Sequence, residues 1–398
     1  MSDSSLALPR LTLAEAIHVR VPFRRPLLDA TGEFTHRRVW LVRVVAADGR
    51  EGLGEAALNP FAEEVTSGAL AALIREIVSA LAAGRLPSWS ELAAEGEPGR
   101  AAMAAVDGAL LSLAWAPDST GTAPADEGAG SAGAGGIRAA RGATLPVLPE
   151  PVPVGAIIGF GGPDAGADAA AQAVELGFET LKLRAGFERT TDQLIERLRA
   201  IRGAVGPQPR LRVDAGGAWD LATATERIQA MEPFRIEFVE QPLAIRELAG
   251  HAALRERVRI PIALDEDIES EGAARAALAE GAADVIVVKP ARVGGLAATL
   301  RIAAAASPAG ASVVLGTYFE TGVGIAAVLR IAAALRTAAP HRTRQEPAHS
   351  LATAGILVHD LLRVPLPIEK GRMAVPSAIS LDDAEVDRYT LERFEVRG

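Results

Sequence analysis

The chain has 398 residues, with 41 Lys or Arg against 50 Asp or Glu, for a formal net charge of −9. Hydrophobic residues make up 49% and charged residues 23%, a globular balance with enough apolar mass for two domains, or for a barrel plus a smaller domain. Cysteine is absent, which excludes disulfides, thiolate metal sites and a Cys nucleophile. No basic patch favours nucleic acid, and no apolar run approaches the roughly 18 residues that a membrane span needs. Met1 to Pro9 has no basic segment leading into an apolar core, so no signal peptide is expected. The default expectation is a cytoplasmic protein that meets neither nucleic acid nor membrane; the oligomeric state is left open.

Residues 11–57 read as β-rich. Leu11 to Val21 and Arg37 to Val45 are strand-like, and Ala47-Asp48-Gly49-Arg50 has the chemistry of a hairpin turn. Pro22 to Thr35 reads as a polar loop between the strands. Helical periodicity runs over about Phe61 to Ala83 and again over about Arg100 to Ala116. Strands followed by helices predict a small α+β unit. Residues 117–146 are low in complexity, as in Gly128-Ala129-Gly130-Ser131-Ala132-Gly133, and cannot bury enough apolar surface to offset their ordering entropy. They read as an insertion or linker between residues 1–116 and a second domain over 147–364.

From Val152 onward short apolar runs alternate with amphipathic helical segments. The runs are Val152–Ile158, Thr180–Arg184, Leu211–Asp214, Ile236–Glu240, Ile262–Asp265, Val285–Lys289 and Ser312–Leu315. A late eighth run is placed near Thr343–Pro347. The polar residues that end the runs, from Lys182 to Lys289, lie 24–32 residues apart. That is the length of one βα unit, since about 250 residues make eight. The pattern fits a (β/α) barrel of about eight strands; an open doubly wound sheet is the alternative, but it ordinarily opens on a Gly-rich phosphate turn, which is lacking.

The chain holds only three lysines, Lys182, Lys289 and Lys370, among its 41 Lys and Arg. Arg stays protonated, whereas Lys can lose its proton when buried and act as a base, so a retained lysine marks a position where Arg would not serve. In Leu181-Lys182-Leu183-Arg184 the two cations share one strand face and the leucines the other. Asp214, Glu240 and Asp265 each close a neighbouring run. One such carboxylate alone reads as a helix cap or a surface ion pair. Three at the C-terminal ends of successive barrel strands, where barrels carry their active sites, converge on one place. Like charges gathered there must protonate or bind a cation, and oxygen donors suit Mg²⁺ or Mn²⁺. Lys289, one strand further on, faces Lys182 and Arg184 across that point. Glu237 is expected to face outward by alternation. Glu266 is read as a helix N-terminal residue, with a place beside the cation as the alternative.

The segments Leu181-Lys182-Leu183-Arg184, Val213-Asp214-Ala215-Gly216-Gly217-Ala218-Trp219, Phe238-Val239-Glu240-Gln241-Pro242, Ile262-Ala263-Leu264-Asp265-Glu266 and Val288-Lys289-Pro290 resemble the muconate-lactonizing subgroup of the enolase superfamily. Phe319-Glu320-Thr321-Gly322-Val323-Gly324 and Leu351-Ala352-Thr353-Ala354-Gly355 are most similar to its o-succinylbenzoate synthases. The resemblance implies an α/β fold: a modified TIM-type (β/α)₇β barrel under an α+β capping domain, the cap including the C-terminal tail 365–398. It implies Mg²⁺ on Asp214, Glu240 and Asp265, substrate loops in the cap at about Pro22–Thr35 and Gly52–Asn59, and a small carboxylate substrate held by Arg184, Gly316 and Glu320. The shared step of such enzymes is removal of the proton α to a carboxylate, with the metal stabilising the enediolate. In an o-succinylbenzoate synthase, loss of hydroxide from the next carbon then gives the aromatic ring.

Two positions depart from the subgroup's pattern. Its Lys-x-Lys on the second strand is here Lys182-Leu183-Arg184, and Gly216 stands where Asn is usual. Deprotonating Arg near pH 7 costs about 8 kcal/mol, from a gap of roughly six pKa units, so Arg184 is a poor base and a good partner for a carboxylate. The proton then falls to Lys289 or Lys182, with Lys289 preferred. An N-acylamino acid racemase, a muconate-type cycloisomerase and a non-catalytic barrel that binds an acidic ligand are the competing readings.

Overall fold

The computed structural model describes residues 8–29, 32–61, 63–116, 150–159, 161–338 and 346–398. The low-complexity stretch 117–146 lies outside them. Strands β1 (Leu11–Asp29), β2 (Gly32–Ala46) and β3 (Glu51–Ala56) form an antiparallel sheet. The period-2 alternation of β1 and β2 buries both faces. Ala14, Ala16, Trp40, Val42 and Val44 pack with residues of α1 (Glu63–Ala82), α2 (Trp89–Ala94) and α3 (Gly96–Trp115). Ile17, Val19, Val21, Val39 and Leu41 pack with Tyr318, Val323, Leu357 and Leu361 from later in the chain. The turn at 47–50 is as expected, with Gly49 at φ +85.

Two expected loops are instead strand. Pro22–Thr35 falls largely within β1 and β2, whose pairing resumes at Leu27↔Phe34 after an irregularity beyond Pro22. Pro22 and the charged Arg24 and Arg25 give the segment its loop-like composition, yet the irregularity absorbs them without ending the hairpin. Most of Gly52–Asn59 is β3. Its glycines serve packing: a β-carbon on Gly54 would lie 1.9 Å from the Ala105 carbonyl oxygen, and one on Gly52 would lie 2.3 Å from that of Ala109. Only glycine lets β3 lie so close to α3.

The barrel follows. β4 (Val152–Pro153), β5 (Ala156–Ile157), α4 (Pro163–Glu175), β6 (Thr180–Arg184), α5 (Thr191–Val205), β7 (Arg210–Asp214), α6 (Leu221–Met231), β8 (Ile236–Glu240), α7 (Leu248–Arg255), β9 (Ile262–Leu264), α8 (Glu271–Ala279), β10 (Val285–Val288), α9 (Pro290–Val293), α10 (Leu296–Ala306), β11 (Ser312–Leu315) and α11 (Gly322–Ala338) succeed one another. Strands β5 to β11 are parallel neighbours in chain order. An eighth stave of two residues closes the ring: His349 bridges to Val154 and Ser350 to Gly316. This is the modified (β/α)₇β barrel, with its last stave slightly beyond the expected Thr343–Pro347, of which 343–345 lie outside the described residues.

Alternation sorts each strand. Leu181, Leu183, Leu211, Val213, Val239, Ile262, Leu264, Ile286 and Val288 join the main core beneath the helices. Phe238, Ala263, Val285, Val287 and Val314 form a small apolar plug inside the barrel. Glu237 breaks the expected alternation. The β7–β8 register skips it, pairing Leu211 with Ile236 and Arg212 with Phe238, so it accepts Arg212 Nε at 2.6 Å rather than facing outward.

The tail returns to the start of the chain. β12 (Ile368–Glu369) and β13 (Arg372–Met373) form a three-stranded sheet with β4. After α12 (Asp383–Tyr389), β14 (Thr390–Arg397) pairs antiparallel with β1, giving the cap sheet the order β14-β1-β2-β3. Two buried carboxylates of the cap reach barrel helices. Glu55 accepts from Thr321 Oγ1 at 2.6 Å and from the Gly324 N–H at 2.9 Å at the start of α11. Asp107 accepts from the Leu296 N–H at the start of α10. Anions are favoured at helix N-termini.

Candidate active site

Strand register brings the expected residues together. Arg184, Asp214 and Glu240 are lateral partners across β6, β7 and β8. Asp265 and Lys289 directly follow β9 and β10. All point to the C-terminal mouth of the barrel. Lys182 Nζ lies 3.0 Å from Asp214 Oδ2 and 2.7 Å from Glu240 Oε1. Arg184 Nη1 donates to Asp214 Oδ1 at 2.7 Å. Lys289 Nζ pairs with Asp265 and sits 5.2 Å from the centre of the Tyr318 ring, within reach of a cation–π contact.

The cluster is electrostatically divided. Burial pushes Glu240 up to about 8 against the pull of Lys182, and the charges of Asp214 and Asp265 push the same way. Burial also works against ionising Asp265, but Lys289 and Arg292 outweigh it and hold that carboxyl at about 2. Asp214 is likewise lowered, by Lys182 and Arg184 acting against burial. Lys182 is raised despite burial, because Asp214, Glu240 and Asp265 surround it with negative charge.

These donors fit a hard divalent cation. Glu240 Oε2, Asp265 Oδ1 and Glu266 Oε2 are buried without a hydrogen-bond partner, and leaving buried carboxyl oxygens so is costly unless a donor or a cation shares them. All the donors are carboxylate oxygens, the ligand type of Mg²⁺ and Mn²⁺. Among the described residues no three acidic or histidine side chains are already drawn around a single metal position; the lysine ammonium groups stand among the carboxylates.

Glu266 is not a helix N-terminal residue. The next helix, α8, begins at Glu271 and is capped by Ser270. Glu266 instead turns toward the cluster, and burial, followed by the charge of Asp265, raises it to about 7. Gly316 lies beside Lys289: a β-carbon there would sit 3.5 Å from Lys289 Cγ. Glu320 is turned elsewhere. It is 2% exposed, accepts from the Tyr318 N–H, and neighbours Glu55 and Arg37 in the seam between cap and barrel; burial, then Glu55, raise it to about 7.

Sequence reasoning missed three supports. Gln241, fully buried at φ +40, accepts the Asp265 N–H at 3.1 Å and donates to Asp267 Oδ2 at 2.7 Å. Arg292 donates to the carbonyls of Asp265 at 3.0 Å and Glu266 at 2.6 Å. Ile157, paired in register with Lys182, is 47% exposed and gives the mouth one apolar wall. Gln241 lies inside a recognised motif, but Arg292 is one arginine among many and carries no signal.

Comparison with known proteins agrees with this geometry. Residues 165–381 match the family described as Enolase C-terminal domain-like, and residues 13–115 match the mandelate racemase / muconate lactonizing enzyme N-terminal domain. An o-succinylbenzoate synthase of Thermobifida fusca is 40% identical over 183 residues, 45% of this chain and 54% of that protein. An N-succinylamino acid racemase of Thermus thermophilus is 32% identical over 201 residues, 50% of each. The matched region thus spans about half the length of these curated relatives. The solved muconate lactonizing enzyme of Pseudomonas fluorescens superposes with a TM-score of 0.74 over 96% of this chain and 99% of that one, at 24% identity, a likeness of fold alone.

Proposed function

This chain belongs to the enolase superfamily, with the N- and C-terminal domains of its mandelate racemase and muconate lactonizing branch, and we propose that it is an o-succinylbenzoate synthase. The reaction is dehydration of the cyclohexadiene precursor to 2-succinylbenzoate, a step of menaquinone biosynthesis, in the cytoplasm. Asp214, Glu240 and Asp265 would hold Mg²⁺, which when bound supplies positive charge for the substrate carboxylate as negative charge develops there. Lys289 Nζ takes the proton from the carbon α to that carboxylate. The hydroxyl leaves the adjacent carbon, accepts that proton from Lys289 and departs as water. Arg184 binds a substrate carboxylate without giving up its own proton.

The observation that carries this reading is the inequality of the three cations. Lys182 is held by two carboxylates, Lys289 by one, and Arg184 cannot serve as a base near neutral pH. An elimination needs one proton carrier. A racemisation or epimerisation needs one on each face of the substrate, and the face of Arg184 has none other than the enclosed Lys182. Similarity to the Thermus thermophilus racemase keeps an N-acylamino acid racemase as the second reading.

The test is direct. Purified protein with Mg²⁺ and the cyclohexadiene precursor is followed by ultraviolet absorbance. Turnover is expected; its absence, with none restored by Arg184→Lys, rejects the assignment. Deuterium entering N-succinyl amino acids from heavy water would instead point to the racemase.

A further inference from the structure

Arg184 and Gly216, the two departures from the subgroup pattern, touch each other. A β-carbon built on Gly216 would lie 2.1 Å from Arg184 Nη2, 2.5 Å from Cζ and 2.7 Å from Nη1, closer than real β-carbons come to any non-bonded heavy atom. The guanidinium therefore fills the volume that a side chain at 216 would need. The same carboxylate oxygen fixes both residues: Asp214 Oδ1 accepts Arg184 Nη1 at 2.7 Å and the Gly216 N–H at 3.1 Å. Gly216 has φ +56, a left-handed conformation open to Asn as well as Gly. The backbone at 216 would accept Asn; the Arg184 guanidinium occupies the place of its side chain and would have to leave its seat on Asp214 to admit it.

We infer that Gly216 is a specificity-determining position, the seat that holds the Arg184 guanidinium as a fixed receptor for a substrate carboxylate. Nη1 is committed to Asp214, while the rest of the fork donates to no other group among the described residues, and the side chain is 32% exposed. That free edge has the planar two-donor geometry that suits a carboxylate. A lysine at 184 carries a compact ammonium on a flexible stem and leaves room for a side chain at 216. Arg184 and Gly216 thus act as one unit in this chain: the guanidinium fills the space that the glycine leaves, and both hold the same Asp214 oxygen. The identity of the ligand, though not the interlock, rests on the proposed function.

Four full-length proteins test it: wild type, Gly216→Asn, Arg184→Lys and the double variant. In thermal melts, Gly216→Asn is expected to lower the midpoint by several degrees in the wild-type background and by no more than a degree in the Arg184→Lys background. If Gly216→Asn alone does not fold, folding of the double variant establishes the interlock equally well. Equal penalties in the two backgrounds, or a double variant that also fails to fold, overturn the interlock. Calorimetry with Mg²⁺ then compares 2-succinylbenzoate with benzoate, which lacks the second carboxylate. Gly216→Asn is expected to reduce the preference for the dicarboxylate at least tenfold, leaving benzoate affinity unchanged. An unchanged preference overturns the receptor role. Failure of wild type to bind 2-succinylbenzoate rejects the synthase reading and with it the ligand, while the melts still decide the interlock.

Discussion

Asp107, on a helix of the cap, accepts the backbone N–H of Leu296 at 2.5 Å, at the first turn of a barrel helix. Its second contact there is the Ala297 N–H at 3.4 Å. Burial raises Asp107 to about 6, against the lowering effect of these hydrogen bonds. A β-carbon on Gly295 would meet Asp107 Oδ2 at 2.6 Å, so the glycine makes the approach possible.

The pH dependence follows from that shift. Below about pH 4 Asp107 is protonated in both folded and unfolded chains. Between about 4 and 6 the unfolded chain sheds this proton first, so the folded state binds more protons and stability falls as pH rises. The loss is on the order of 3 kcal/mol, from about two pKa units. Asp107→Asn keeps an acceptor and cannot titrate. Urea unfolding from pH 5 to 7.5 should show the variant gaining on wild type as pH rises; parallel curves would refute the shift.

The lysines should fail differently. Lys289→Met should cut turnover by about 10²–10⁴-fold, the usual worth of a general acid or base, while leaving Mg²⁺-dependent stabilisation in place. Lys182→Met removes the cation from Asp214 and Glu240. The protein without added metal should then lose about 3–5 kcal/mol, as when one partner of a buried ion pair is removed. Steady-state rates and melts with and without Mg²⁺ separate the two. Retained turnover in Lys289→Met would move the base to Lys182.

Metal addition should stabilise. At 100 times its dissociation constant Mg²⁺ raises stability by about 2.7 kcal/mol if it binds only the folded chain. Glu240→Gln should abolish most of that gain. Melting curves with chelator and then with Mg²⁺ measure it, and an Mg²⁺ response intact in Glu240→Gln would remove Glu240 from the ligand set.

Gln241→Ala strips the Asp265 and Asp267 backbone N–H groups of their shared acceptor and Asp267 Oδ2 of its donor. Each orphaned buried group costs about 1–3 kcal/mol. Chemical denaturation should show a loss within that range or above it, and Mg²⁺ affinity should fall because Asp265 is no longer held. A neutral variant would show that Gln241 does not position the site.

The barrel is legible because its strands are short, apolar and closed by polar residues, and Lys182, Asp214, Glu240, Asp265 and Lys289 all reach the mouth from those ends. Position in a regular alternation can be read from sequence; an interruption cannot. Glu237 departs from its expected face because the skipped register at β8 leaves no mark in composition. Pro22–Thr35 looks like a loop because its Pro and Arg residues describe solvent exposure, not whether the backbone pairs. Glu320 sits in a segment notable for its likeness to a family, yet the charges that face it, Glu55 and Arg37, come from the cap, and contacts made by elements far apart in the chain have no local signature. Arg292 is hidden by the abundance of arginine, the same abundance that makes Lys182 and Lys289 conspicuous.

The pairing of β14 with β1 sets an order of events during synthesis. The first strand of the cap is made before any barrel strand, and its outer partner only after all of them. Until Thr390–Arg397 leave the ribosome, β1 offers an open row of backbone donors and acceptors, the kind of edge that invites pairing with another chain. The cap sheet is therefore begun before the barrel strands and completed only after them, and pairing with β14 is what removes the hazard.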